Sequence, residues 1–466
     1  MLKITCTATV AVLALGSLIT GGGSAVANVR TTVSSSVSTS NEAPEQRDIR
    51  VRKEFGLDAT GGHVDSLIKA ANESATDTSF LGIPLTQAEV ATLKSRFSLE
   101  DKVTKLQPVL NSLPGYGGMW IDQEHGGQVH VQVVQGAPVA DKAAVSETIA
   151  SAALTTTDAV LYAKSDLDDL VAKIAALDQA EPLKSAFSSV SVDVPHNAVS
   201  LVLKTTTGVG DLLPASLADR PELQVTASAG TWSAQSGRDI HSGHYYAGEY
   251  TSGAFGNCTI GFGNVISSYG NNYIATAGHC DHGDNGYTRY RGSGTTGGNL
   301  GTVHNSKYSD GGKSECDCEV VGPIDDGSLA TPIVLDDGNS HVSLTRTATS
   351  ASDFAVGEPV CLSGAQYGNQ VASSELVNCG YITASSIEET YTRNDTSAPF
   401  TLAGGVTTNI SGSMAGDSGG TCYNPNSHIF YGIHAAAEQN RETKATFATV
   451  FSKADHLDDL GVYLEY

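Results

Sequence analysis

Thr276-Ala277-Gly278-His279-Cys280 and Gly416-Asp417-Ser418-Gly419-Gly420 are the two stretches on which the reading of this 466-residue chain turns. The first follows a short apolar strand, Tyr273 to Ala275, and Ser418 lies 139 residues beyond His279. A serine hydroxyl is a weak nucleophile until a base accepts its proton, and imidazole titrates near neutral pH. A carboxylate must then hold the ring in one tautomer and stabilise its charged form. Glycines on both sides of Ser418 let the backbone turn tightly, so the N–H groups of Gly416 and Ser418 can point at a developing oxyanion. Losing one such donor costs roughly 100- to 1000-fold in rate. Taken alone, His279 could be a core residue and the glycine-rich stretch a plain turn. Together, in this order, with an acid between them, they point to nucleophilic hydrolysis.

The surrounding sequence sets the frame. After about residue 225, short apolar runs alternate with Gly, Asn, Ser and Asp, the pattern of a β-sandwich or barrel. Charged residues are 17% of the chain and glycines number 50, which excludes a helical bundle or coiled coil. Twenty-seven basic against 50 acidic residues give a net charge of −23 and argue against a nucleic-acid partner. The length suggests two or three folding units.

Lys3, the apolar run Val10 to Ile19 and the small residues Ala25-Val26-Ala27 have the layout of a secretory signal peptide over 1–27. The apolar run is shorter than the ~20 residues of a membrane-spanning helix. The expectation is therefore a secreted, extracellular protein without a membrane partner. Eight cysteines agree: Cys6 leaves with the signal, and no other precedes Cys258. An exported domain keeps disulfides, so the cysteine-bearing half reads as the mature unit.

Residues 28–48, rich in Ser and Thr, read as a flexible linker. From 49 to 239 the pattern is that of an α+β unit. Thr86 and Glu89 form a capping-box signature. Gly117 to Asp122 and Val129 to Val133 suggest a hairpin, a helix is expected near 142–178, and Val190–Val194 with Val199–Leu203 suggest a second strand pair. No nucleophile or metal-ligand spacing occurs there. Ser452 to Leu460 reads as a C-terminal helix with Leu457 and Leu460 on one face, and Asp281 to Gly286 as a surface turn. No cofactor or metal is expected.

On the His279 and Ser418 motifs, about 230 C-terminal residues resemble the chymotrypsin-like serine peptidases, specifically the secreted bacterial streptogrisins and α-lytic protease. The resemblance implies an all-β double six-stranded β-barrel over 240–466, an acyl-enzyme mechanism, protein or peptide substrates and a monomer. Asp317-Cys318-Glu319-Val320-Val321 resembles the family segment that delivers the triad aspartate, so Asp317 is the expected acid, with Asp310 and Asp325 as competitors; Glu319 departs from the family's small or apolar residue. The resemblance also implies bridges Cys258–Cys280 and Cys361–Cys379. Cys316, Cys318 and Cys422 are left over: a direct Cys316–Cys318 bridge on a strand would be strained, one of the pair could bond Cys422, and all three could be buried thiols.

For specificity, Gly412 stands where trypsin-like enzymes carry an Asp, which argues against Lys or Arg. Gly432-Ile433-His434 with Ser413 resembles the glutamyl endopeptidases, and imidazole plus hydroxyl is a sensible carboxylate receptor. Ala435 replaces a usual Ser, while Ala436 and Ala437 narrow the pocket, so a broad or small-residue specificity is the alternative. Nine basic against 24 acidic residues from 240 onward (net −15) oppose acidic substrates at low salt. A secreted, catalytically dead homologue acting in binding is a rival of another class. The stretches Arg52–Leu57, Gly82–Thr86 and Trp120–Asp122 resemble α-lytic-type pro-regions. They imply that 49–239 is a pro-domain that assists folding and then inhibits, cut after Asp239 before Ile240.

Overall fold

The computed structural model describes residues 44–465, apart from 74–79, 153–155, 206–208, 229, 234–244, 254–255, 268, 292–297, 325–328, 336–340, 350–353, 366–376, 394–397 and 441–445. The expected signal peptide, most of the linker and the expected cut after Asp239 lie outside the described residues. The last linker residues differ from expectation, because Pro44 and Glu45 open a helix, Pro44–Glu54. Proline in the first turn has no amide to leave unpaired, and an early acid favours the positive end of the helix.

The N-terminal unit is α+β. In the helix Gln87–Phe97 the hydroxyl of Thr86 accepts the Glu89 amide, and the Glu89 carboxylate accepts the Thr86 amide. Tyr116–Asp122 and Gln128–Val134 form an antiparallel hairpin. The single helix expected near 142–178 is two, Val139–Ser151 and Lys164–Ala175, with a strand Thr156–Val160 between them. β-branched Thr156 and Thr157 favour extended backbone, and that strand pairs in parallel with Gln128–Val134. Leu167, Leu170 and Ile174 pack one face of their helix on Phe187, Val199 and Leu201 of the second strand pair, Phe187–Asp193 and Ala198–Leu203.

The C-terminal half is mostly β, with two main parts beside a small three-stranded sheet of Tyr245–Ala247, Leu329–Leu335 and His341–Ser343. The first is a half-barrel sheet of eight strands, among them Asn272–Thr276, which ends at the histidine loop, and Glu319–Gly322, which starts just after Asp317. Six strands were expected; the C-terminal strand Val462–Leu464 adds itself to Phe262–Ser267. The second part is a closed ring of six strands: Pro359–Ser363, Asn378–Tyr391, Phe400–Thr408, Thr446–Lys453, Ile429–Asn440 and Thr421–Tyr423. The expected C-terminal helix is a 3₁₀ helix, Ala454–Leu460, with Leu457 and Leu460 buried.

Hydrogen bonds join the N-terminal unit to the ring. Phe187–Asp193 pairs with Asn378–Tyr391, so the N-terminal strands continue the ring's sheet. Gly230–Ser233 pairs antiparallel with the end of Ile429–Asn440. The amide of Ile121 donates to the Val356 carbonyl at 2.9 Å. Gly357 permits this approach: its φ is +87°, and a Cβ there would lie 2.0 Å from the Ile121 carbonyl oxygen. A Gly357→Ala substitution is therefore expected to lift the hairpin off the ring. Amide exchange at Ile121 should quicken by at least about tenfold, corresponding to about 1.4 kcal/mol, while exchange within the ring stays slow.

Candidate active site

Asp317 and His279 meet at the edge of the half-barrel sheet. Strand Asn272–Thr276 pairs with Glu319–Gly322, matching Thr276 with Glu319, so the loops that leave these strands lie side by side. His279 sits in a short 3₁₀ turn, Gly278–Asp281. Its backbone amide donates to Asp317 Oδ1 at 2.8 Å, and its Nδ1 contacts Asp317 Oδ2 at 2.5 Å. A carboxylate on Nδ1 fixes the ring with Nε2 facing away from it. Asp317 is fully buried, so these hydrogen bonds replace the water its charge has lost.

The Ser418 loop is tied to the same place. Gly416 and Gly419 have φ of +123° and +87°. The Gly419 amide donates to the His434 carbonyl and the His434 amide to the Gly420 carbonyl, both at 2.8 Å. Thr259 holds the other side, its amide on the Ser418 carbonyl at 2.7 Å and its hydroxyl on the Gly416 carbonyl at 2.5 Å. A Cβ on Gly419 would lie 3.1 Å from the Ala277 amide nitrogen and 2.2 Å from Thr276 Oγ1, so the serine and histidine loops are in direct contact. His279 Nε2 is buried and makes no hydrogen bond among the described residues. Proton transfer would require the Ser418 hydroxyl to come within reach of it, a contact that often tightens only with substrate bound.

The two pocket residues also come together. Ser413 Oγ lies 3.1 Å from His434 Nε2, and both side chains are buried. Burial, with His279 nearby, lowers the pKa of His434 to about 3. The ring is thus neutral at working pH and offers hydrogen bonds, not charge. Ala435, Ala436 and Ala437 are fully buried beside it.

Of the competing acids, Asp310 binds His282 and Tyr308 instead, each at 2.9 Å, and Asp325 lies outside the described residues. Glu319, the departure from the family pattern, is fully buried with Asp281 and Arg289. Arg289 Nε stands 2.5 Å from Asp281 Oδ2 and 3.5 Å from Glu319 Oε1. Asp281 is therefore an interior residue rather than part of a surface turn. Burial, then repulsion from Asp281, raises the Glu319 pKa well above its ordinary 4.5.

Cys258 is bonded to Cys280 and Cys361 to Cys379. Of the readings open for the remaining cysteines, the pairing with Cys422 and the strain argument against a Cys316–Cys318 bridge fail, while a buried thiol holds for Cys422 alone. Cys316 is bonded to Cys318, with Cα atoms 5.3 Å apart, and Cys422 is a buried free thiol. The strand begins only at Glu319, so residues 316–318 are free of the pleat that would have strained the bridge. Sequence reasoning missed Tyr391, whose hydroxyl donates to Asp317 Oδ2, and Arg289. Neither lies in a recognisable motif: Tyr391 reaches the site from the ring, 74 residues away along the chain.

Residues 262–457 match the family model described as Trypsin. The chain carries a trypsin-like serine protease domain and is by class a serine endopeptidase, a hydrolase. No curated protein matches it. Among solved structures, protease A of Thermobifida fusca is 23% identical over 47% of this chain and 98% of its own, with a TM-score of 0.35. Cellulomonas bogoriensis chymotrypsin is 22% identical over 48% and 98%, also at 0.35. A glutamic-acid-specific serine protease described as using a histidine triad in substrate binding is 22% identical over 47% and 100%, at 0.35.

The buried Arg289 cluster makes two expectations. Arg289→Met leaves two buried acids without their cation and should cost roughly 3–5 kcal/mol in urea unfolding. The Glu319 pKa is raised on folding, so its contribution to stability is intact below about pH 4.5 and declines as pH rises toward the folded value. Glu319→Gln is therefore expected to be more stable than the native chain at pH 7, with the advantage disappearing near pH 4.

Proposed function

We propose that this chain is a secreted serine endopeptidase made as a zymogen, cutting peptide bonds through an acyl-enzyme on Ser418. The observation that carries this reading is the double hydrogen bond from His279 to Asp317, on a loop packed directly against Gly419. In the first step Ser418 Oγ attacks the peptide carbonyl while its proton passes to His279 Nε2. Asp317 stabilises the imidazolium, and the Gly416 and Ser418 amides receive the oxyanion. Collapse breaks the C–N bond, and the departing amine takes the proton from His279. Water then attacks the ester, giving its proton to His279, and Ser418 recovers that proton as the acid product leaves.

Residues 49–239 act, on this reading, as the pro-domain. Its support is the pairing of Gly230–Ser233 with Ala437 to Asn440, the stretch that continues the pocket strand beyond His434. The site is closed in the intact chain: His279 is 4% exposed, and Ser418 and His434 are 0% exposed. Barrels rich in non-local contacts fold slowly, which gives a covalently attached template a role. Signal removal and a cut after Asp239 complete the maturation.

Expressed with its leader, the native chain should appear outside the cell shortened and with a new N-terminus at Ile240. Ser418→Ala should remain whole, and its trans-processed form should turn over peptide roughly a million-fold more slowly. One equivalent of an organophosphate should label the mature native protein. A native chain that stays uncut and unlabelled would mark it as a catalytically dead binding protein.

For specificity, the Ser413–His434 pair supports a receptor for a glutamate carboxylate, with the neutral imidazole as donor. The three buried alanines beside it favour the second reading, a pocket for small residues. Peptide libraries varied at a single residue separate the two. Cleavage after Glu should exceed that after Ala by at least about tenfold and fall by a similar factor in His434→Ala, as expected for one lost charged hydrogen bond; cleavage mainly after Ala, Phe or Lys rejects the glutamate receptor.

A further inference from the structure

Asp317 Oδ2 carries two hydrogen bonds, one with His279 Nδ1 and one donated by the Tyr391 hydroxyl. Tyr391 stands at the end of strand Asn378–Tyr391 in the six-stranded ring, whereas Asp317 and His279 lie on loops at the edge of the half-barrel sheet. Its ring lies edge-on to His279, with centroids 6.4 Å apart, and it packs on Phe400. Tyr308 approaches the imidazole edge-on at 6.1 Å, but its hydroxyl turns away to Asp310. Of the two tyrosines, only Tyr391 addresses the carboxylate.

A phenol buried to 2% exposure in an apolar cluster needs a hydrogen-bond partner, and Asp317 provides one. The benefit is mutual. Oδ1 is anchored by the His279 amide, but Oδ2 must receive the imidazole at a fixed angle. A second donor on Oδ2, mounted on a different sheet, limits rotation of the carboxylate. It also withdraws charge from the oxygen that faces Nδ1.

We propose that Tyr391 is a positioning residue for the reaction, holding Asp317 Oδ2 in line with His279 from the opposite sheet and setting the basicity that the imidazole feels. The proposal rests on the assignment of Ser418, His279 and Asp317 under Proposed function. It makes catalysis depend on the seating of the ring against the half-barrel. The other titratable groups facing this cluster are Tyr308 and Asp310 ahead of Asp317, Glu319 beyond it, Glu389 on the strand of Tyr391, Arg393 just past that strand, and His434 on the pocket strand. None changes when only the hydroxyl of Tyr391 is removed.

The test uses mature native enzyme and Tyr391→Phe, which keeps the ring and its packing. Organophosphate labelling is read first: one equivalent on the native enzyme establishes the underlying assignment, and none would end that assignment rather than address Tyr391. In Tyr391→Phe, labelling should still reach one equivalent and KM should stay within about twofold. kcat should fall roughly 10- to 100-fold, the scale of one lost hydrogen bond to a charged group. The acid limb of kcat/KM should move to higher pH by roughly one pH unit, because a carboxylate freed of a donor holds the imidazolium more strongly. Unchanged kcat, or a lower kcat with an unmoved limb, overturns the proposal. Should the variant fail to fold, native enzyme grown on 3-fluorotyrosine carries a stronger donor at the same position. Its acid limb should move to lower pH, and an unmoved limb there overturns the proposal too.

Discussion

A fully buried carboxylate must be met by hydrogen-bond donors, and in this protein that requirement gathers the structure around Asp317. The donors come from different parts of the chain: amide and imidazole from the turn at His279, a phenol from the end of a ring strand. The amide of Asp317 itself donates to Ser452 Oγ at 2.9 Å, on the last strand of the ring. The acid is therefore a junction between the half-barrel and the ring. The Cys316–Cys318 bridge closes the short loop that carries it, with Asp317 as the residue between the two sulfurs.

A second buried charge group lies directly behind the first. Asp281 and Glu319 each follow a site residue by two positions, and Arg289 links them from strand Thr288–Arg291 of the same sheet. Such a group is costly to desolvate and is strongly damaged by loss of its cation. Its effect here is to hold the histidine and aspartate loops in a common frame without any contact to reacting atoms. The departure of Glu319 from the family's apolar residue thus has its counterpart in Arg289.

The N-terminal unit shares this architecture rather than resting on it. Its strands extend the ring's sheet at Asn378–Tyr391, the strand that ends in Tyr391, and its last described strand lies along the pocket strand. Lys313 bridges the units as well, 3.1 Å from Asp178 and 2.7 Å from Glu388. Contact between the halves therefore includes the elements that carry Tyr391 and His434.

Much of this was legible in the linear chain because it depends on local chemistry. Glycines flanking Ser418, an imidazole after an apolar strand, a capping box at Thr86 and Glu89, and alternating residues in Val129 to Val133 each state their requirement within a few residues. The limits were local as well: helical composition through 142–178 concealed a strand that only parallel pairing with Gln128–Val134 stabilises. The Cys316–Cys318 bridge is not legible in the linear chain because it depends on where the strand begins, which is only at Glu319. Local residue chemistry alone accounts for the candidate reactive groups, the β character of the C-terminal half and the helical start of the N-terminal half. Which donors reach Asp317 and which cation meets Glu319 follows only from the folded arrangement, because those partners lie far away in sequence and are brought together by sheet pairing.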